Sequence, residues 1–335
     1  MFALSAALAL AVTPCPPSAL CAGDETLLVI SANEARAAAA LDAGLAAREH
    51  FAAVFGETPV PTAIVEDIAL YPGITLELQA AGYVVKPWIS PGAMREALEA
   101  QLRPALQAAM ADASPQTVDN AVQAAVERRV GQNEQIRHGE AIIAHELGHI
   151  WMIHAFDWPD TAVPGERSYG AAGAPDWMDE TAAVLMETGA LTTERRTALC
   201  ALLPDSIEDT LALYFSMEHP MINMARQVAA QRDAALAASG GDRSAPQIMM
   251  ITRQVEAGDD ALMTDAGYYY ALTRAFVDYV VNQTGSEPVF ASLAAALAGG
   301  QTLDDWLAAG VEGLPGNEME LIDGLGAYVT QQCQA

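Results

Sequence analysis

AIIAHELGHIWM, residues 141–152, is the stretch on which the reading of the whole chain turns. Apolar residues and one glycine surround three polar side chains, His145, Glu146 and His149. Residues four apart project from one face of a helix, so His145 and His149 can present two imidazole nitrogens to a single cation. Glu146 sits one residue round the helix, close enough to reach a metal-bound water without binding the metal itself. Polar groups in so apolar a helix demand a purpose, because burying them without partners costs free energy. With six histidines in 335 residues, chance alone would produce this spacing on the order of once in a hundred such chains. Buried structural histidines are the remaining bland explanation.

Two histidines suit zinc, and a third protein ligand with an open fourth position makes such a site catalytic rather than structural. The third ligand does not follow directly. Met152 and Ala155 stand where the longer metzincin pattern needs glycine and histidine, and His154, five residues past His149, projects about 140° away. A better candidate follows the Gly/Pro-rich loop 157–175, in APDWMDETAAVLMETGA (174–190). Pro175 and Asp176 mark a helix start there, and Glu180 stands 31 residues beyond His149. A second helix crossing the first can bring one carboxylate oxygen to complete the trio.

HELGH followed by PDWMDETAA resembles the gluzincin zinc metallopeptidases, the thermolysin-like clan, and most closely the peptidase MA-like family. In that family a HExxH helix precedes a Pro-x-Trp-x-x-Glu-Gly-x-Ala helix start that carries a glutamate ligand. The matching residues are Pro175, Trp177, Glu180 and Ala183. The segment 270–307 is similar to the family's C-terminal helices, with Tyr270 standing 15 residues before Gly285. The resemblance spans about residues 140–310. It implies zinc held by His145, His149 and Glu180, Glu146 as general base and Tyr270 as a catalytic helper. It also implies a zincin-like fold, in which a small α/β lobe and a helical lobe flank the active-site cleft. Thr181 stands where the family has glycine, which would alter the pocket wall, and Gly148 is a weak helix former inside the metal helix that permits close approach of another backbone.

Lesser signals surround these. Asp179 can accept a hydrogen bond from a ligating histidine or serve simply as a carboxylate at a helix start. Glu187 reads as a solvated or capping acid rather than a ligand. Tyr268, Tyr269 and Tyr270 are about 100° apart on a helix, so at most one faces the metal. Tyr269 continues the stripe Leu272, Phe276, Tyr279 and reads as core, whereas Tyr270 lies off it and can donate its hydroxyl to a developing oxyanion. His50, His138 and His219 read as surface or satisfied core groups, and Trp177 as packing.

The net charge is −27, and Lys86 is the only lysine among 16 basic residues. Such a surface repels phosphate backbones and anionic lipid, which argues against nucleic-acid partners. A composition 52% hydrophobic and 18% charged is that of a globular protein. MFALSAALALAVTPCPPSALCAG opens the chain as a secretory signal peptide would, with its apolar run over Phe2–Val12 and a cut near Ala22. No later segment sustains the roughly 18 apolar residues a membrane span needs. The expected mature protein is therefore secreted or periplasmic. Cys200 and Cys333 remain in it and can pair in an oxidising compartment.

TLLVI (26–30), PTAIVED (61–67) and YVVKPW (83–88) read as strands, Glu34 to Phe55 as a helix, and Pro91 to Gln135 as helix broken near Ser114-Pro115. From Glu140 nearly everything reads as helix. The expected class is α+β, predominantly helical. Residues 1–22 form the signal peptide, 23–155 an N-terminal α/β lobe ending in the HELGH helix, and 156–335 a helical lobe carrying the third zinc ligand. The expected function is zinc-dependent hydrolysis of a peptide or protein substrate, with Glu146 as general base and metal lost below pH about 6 as the histidines protonate. The alternative is a secreted zinc-binding or interaction protein on the same scaffold without turnover.

Overall fold

The computed structural model describes residues 14–57, 59–131, 138–158, 173–204, 206–222 and 266–334. Four short apolar segments, β1 (Leu20–Gly23), β2 (Leu27–Ser31), β3 (Thr62–Glu66) and β4 (Val84–Trp88), make one sheet in the order β1-β2-β3-β4. β1 runs antiparallel to β2, and the other neighbours are parallel. Parallel strands need crossovers, and here helices α1 (Glu34–Phe55) and α2 (Ile74–Ala80) supply them. Strand alternation sends Leu27, Val29 and Ile64 against Ala40, Ala47 and Phe51 of α1. Leu28, Ile30, Ala63 and Val65 face the other way, onto Ile74 and Leu78 of α2. Both faces are covered, which is why β2 and β3 read as unbroken apolar runs rather than alternating ones.

The cut expected near Ala22 falls inside β1. Cys21 is bridged to Cys15, and Leu20 to Gly23 pair with β2. Residues that the sequence assigns to a leader thus belong to the sheet. The run Phe2–Val12 lies outside the described residues.

Two helices, α3 (Pro91–Ala109) and α4 (Pro115–Gly131), form a hairpin with its own small core. Ser90 caps α3 by accepting from the Ala93 N–H, and Pro91 sits where its missing N–H costs nothing. Val118, Val122, Val126 and Val130 repeat every fourth residue and pack on Leu98, Leu102 and Leu106. The expected break at Ser114-Pro115 is the turn between them.

The remaining helices are α5 (Gly139–Ala155), α6 (Asp176–Met186), α7 (Gly189–Ala201), α8 (Ile207–Ser216), α9 (Ala266–Thr284), α10 (Val289–Ala298), α11 (Leu303–Ala308) and α12 (Glu318–Gln334). α5 lies on α1, and every residue of α6 from Trp177 to Met186 is buried. One continuous core runs from the α1 face of the sheet through α5 and α6 to α12. Cys200 and Cys333 are bridged, tying α7 to α12. Two disulfides indicate an oxidising environment. Among the described residues no helix is long and apolar enough to cross a membrane. The α+β, predominantly helical class is the expected one.

Candidate metal centre

The site begins with the contact between α5 and α6. A Cβ added to Gly148 would lie 2.7 Å from Ala183 Cα and 2.8 Å from the Ala182 carbonyl oxygen. Only glycine therefore lets the two helix backbones touch here. That approach sets Glu180, one turn before Ala183, beside the two histidines of α5. Thr181, which stands where the resemblance has glycine, is fully buried and donates its hydroxyl to the Trp177 carbonyl. Trp177 packs edge-on against Phe215 and Phe276, which fixes the start of α6.

His145, His149 and Glu180 each offer one ligand atom, and the three lie within 4.8 Å of one another. The two Nε2 atoms are 3.2 Å apart. Glu180 Oε1 is 3.5 Å from His145 Nε2, and Oε2 is 3.6 Å from His149 Nε2. Ligands about 2.0–2.2 Å from a tetrahedral cation are separated by edges of about 3.3–3.6 Å; each histidine meets a different Glu180 oxygen near that spacing, so the cluster is of a size that could hold one ion.

Hydrogen bonds fix which nitrogens are available. His149 Nδ1 lies 3.0 Å from Asp179 Oδ2, and His145 Nδ1 lies 2.9 Å from Glu187 Oε1. An ionised carboxylate only accepts, so each Nδ1 donates its proton and each Nε2 keeps its lone pair. Two neutral imidazoles held this way aim lone pairs at each other, an arrangement that a shared cation relieves. Burial opposes a charge on His149, yet the charge and hydrogen bond of Asp179, with the charges of Glu180 and Glu146, raise its pKa to about 9. Without metal, a proton takes the cation's place.

Glu187, expected to be solvated or capping, does end α6, but its carboxylate is buried on His145. Burial works against its charge, and the hydrogen bond and charge of His145 together with the Arg195 guanidinium hold its pKa below the usual range. Arg195 Nη2 donates to Glu187 Oε1 at 3.2 Å and is itself buried. An Arg195–Glu187–His145 chain thus supports one ligand, and Asp179 supports the other.

Glu146, on the same helix as the histidines, is 35% exposed. Its Oε2 is ion-paired with Lys86 from β4. Burial raises the Glu146 pKa, but the charges of Lys86, His145 and His149 lower it further, to below the ordinary value.

His219, expected to be an unremarked surface or core group, is fully buried beside the centre, its Nε2 3.6 Å from Glu180 Oε2. Its backbone N–H donates to Asp176 Oδ2 at 2.6 Å, and its Nδ1 accepts from the Met221 N–H at 3.2 Å. The latter bond leaves the His219 ring proton on Nε2, the nitrogen on the Glu180 side. Burial, reinforced by His149 and His145, lowers its pKa to about 3 and keeps it neutral. Tyr270 lies between these groups. Its ring meets His145 edge-on at 5.7 Å, stacks on His219 at 5.5 Å and carries the Arg195 guanidinium 4.5 Å from its centroid. Tyr269 is core, as its stripe predicts, against Tyr214 and His219.

The expected trio and Glu146 are therefore brought together, with Asp179 in the orienting role the sequence allowed and Tyr270 beside them. His138 is satisfied by Glu194 at 2.7 Å, and His50 is a surface group near Glu287, as expected. Lys86, Arg195 and His219 were not legible, because each reaches the centre from another element and none carries a local pattern; Glu187 ends the helix that carries Glu180, but its burial on His145 depends on the α5–α6 contact. The loop 159–172 lies outside the described residues. No family model, curated protein or solved structure matches the chain.

Proposed function

We propose that the protein is a zinc-dependent peptide hydrolase of zincin-like architecture, secreted or periplasmic. One observation carries this reading: His145, His149 and Glu180, from two helices, each offer a ligand atom within 4.8 Å of the others, with the partly exposed carboxylate of Glu146 on the same helix as the histidines. Two imidazoles and one carboxylate suit zinc and leave its fourth position open. Bound zinc would supply Lewis acidity, lowering the pKa of a water from ~16 toward ~7.

The chain's own groups do the rest. Glu146 takes a proton from the attacking water and passes it to the leaving amine. Asp179 and Glu187 hold the Nδ1 protons, so that both Nε2 lone pairs stay directed at the ion. His219 packs beside the Glu180 carboxylate. Tyr270, packed against His145, is the proposed hydroxyl donor to the oxyanion. The substrate main chain would lie along β4, whose outer edge is unpaired among the described residues.

The test is zinc content together with hydrolysis of a mixed peptide library by the wild type and Glu146→Gln. The reading expects one zinc in each protein and turnover in the wild type alone. Equal hydrolysis by Glu146→Gln or by metal-free protein would refute it. Zinc without hydrolysis of any peptide would instead support a metal-binding protein that lacks turnover.

A further inference from the structure

The single lysine of a chain with net charge −27 is ion-paired to the proposed general base. That placement is costly for a base, because an ammonium on a carboxylate lowers its affinity for protons. The pair is not sealed: Lys86 is 24% and Glu146 35% exposed, so both open on the same surface. The lysine stem is flexible, and its ammonium can pass between partners a few ångströms apart.

The register of β4 says what the other partner is. Val84 N–H donates inward to Pro61, and the Trp88 carbonyl accepts inward from Asp67. Even-numbered residues of β4 therefore spend their main-chain groups on β3, and Val85 and Pro87 turn theirs to the open edge. Pro87 has no N–H to offer, the usual place for proline on an edge. Lys86 is paired with Ile64, which lies on the sheet face toward α1 and α5. A peptide added antiparallel to β4 would put one residue directly across from Lys86, at a position without inter-strand hydrogen bonds where facing side chains come closest. That residue would sit on the Glu146 side of the sheet, next to the bond to be cut.

We propose that Lys86 is a specificity-determining residue that receives a carboxylate of the peptide, and that Glu146 holds it only until that carboxylate arrives. The carboxylate belongs to an acidic side chain or to a peptide C-terminus flanking the scissile bond. In a protein so acidic, Lys86 is the local exception that lets an anionic peptide dock. Its departure also frees Glu146 for the water. The inference rests on the peptide-hydrolase reading above.

A sole lysine makes the test direct. Reductive ¹³C-methylation keeps the charge and gives Lys86 one dimethyl resonance, assigned by its loss in Lys86→Arg. In Glu146→Gln, which does not turn over, that resonance should shift saturably with peptides carrying Glu and less with their Gln counterparts. Free-acid against amide C-termini, compared the same way, separate the two sources of carboxylate. Wild-type kcat/KM should favour carboxylate peptides by about 10-fold or more, the scale of a hydrogen bond to a charged group. Lys86→Met should erase this preference, bringing the ratio of kcat/KM on carboxylate and neutral peptides to about 1, and Lys86→Arg should retain part of it. An equal loss on acidic and neutral peptides in Lys86→Met, or hydrolysis without preference in the wild type, would overturn the assignment and leave the hydrolase reading standing. A carboxylate-dependent shift in a protein that hydrolyses nothing would keep Lys86 as an anion site and overturn the hydrolase reading instead.

Discussion

Gly148→Ala tests the contact on which the centre depends. In an ordinary buried helix this substitution stabilises by about 1 kcal/mol, because alanine is the better helix former. Here the new methyl would lie 2.7 Å from Ala183 Cα and 2.8 Å from the Ala182 oxygen. Carbon atoms settle at about 3.5–4.0 Å, so α5 and α6 must part by about 1 Å. Overpacking of this kind costs about 1–3 kcal/mol, which cancels or reverses the propensity gain. The metal suffers more, since ligand distances tolerate only about 0.2 Å and Glu180 rides on α6 one turn from the clash. Loss of that ligand should weaken zinc by at least about 100-fold, beyond the 10–100-fold typical of removing an orienting partner. A chelator-competition titration reads the affinity, and thermal melts with and without zinc read the linkage. Zinc at 100 times its wild-type Kd should add about 2.7 kcal/mol to the wild type and under 0.5 kcal/mol to the variant by the same relation. A Gly148→Ala protein that is more stable than the wild type and binds zinc equally well would refute the reasoning.

Other consequences follow from the same centre. His149 has a folded pKa raised to about 9 from 6.5, so its stabilising charge is present below pH about 6.5 and disappears as pH rises through about 9; metal-free protein should lose stability over that window. Zinc must displace this proton, so calorimetry at pH 7–8 in buffers of different ionisation enthalpy should report about one proton released per ion, and buffer-independent heats would count against the assignment. Asp179→Asn and Glu187→Gln should each weaken zinc by about 10–100-fold. Glu187→Gln should also lower the melting temperature of metal-free protein more than a surface change does, because it removes the carboxylate from a buried ion pair with Arg195. Replacing Cys200 and Cys333 by serine opens a crosslink spanning 133 residues, which chain entropy values at about 5 kcal/mol; a denaturant midpoint unchanged by the double substitution would contradict it.

The sequence alone determined the parts of this protein that depend on local geometry. A helix places residues four apart on one face whatever surrounds it, so the pairing of His145 with His149, and the placing of Glu146 beside it, followed from spacing. Apolar runs between turn residues marked the three parallel strands, and the break at Ser114-Pro115 marked the boundary between α3 and α4. The third candidate ligand was legible because Glu180 follows a recognisable helix start, and Gly148 because an unfavoured glycine in a helix asks for a close neighbour.

Tertiary structure decided everything that two distant segments do together. Glu187 looked like a solvated acid until the α5–α6 contact buried it on His145, 42 residues away. Lys86 reaches Glu146 across 60 residues, and the approach exists only because β4 lies at the sheet edge beside α5. His219 became part of the centre because α8 delivers it to Glu180, and Leu20–Ala22 joined the sheet because β2 had an open side to pair. Side-chain chemistry and helical period are written in short windows of sequence, but which buried charge meets which is set by how helices and strands pack, and that information is spread over the whole chain.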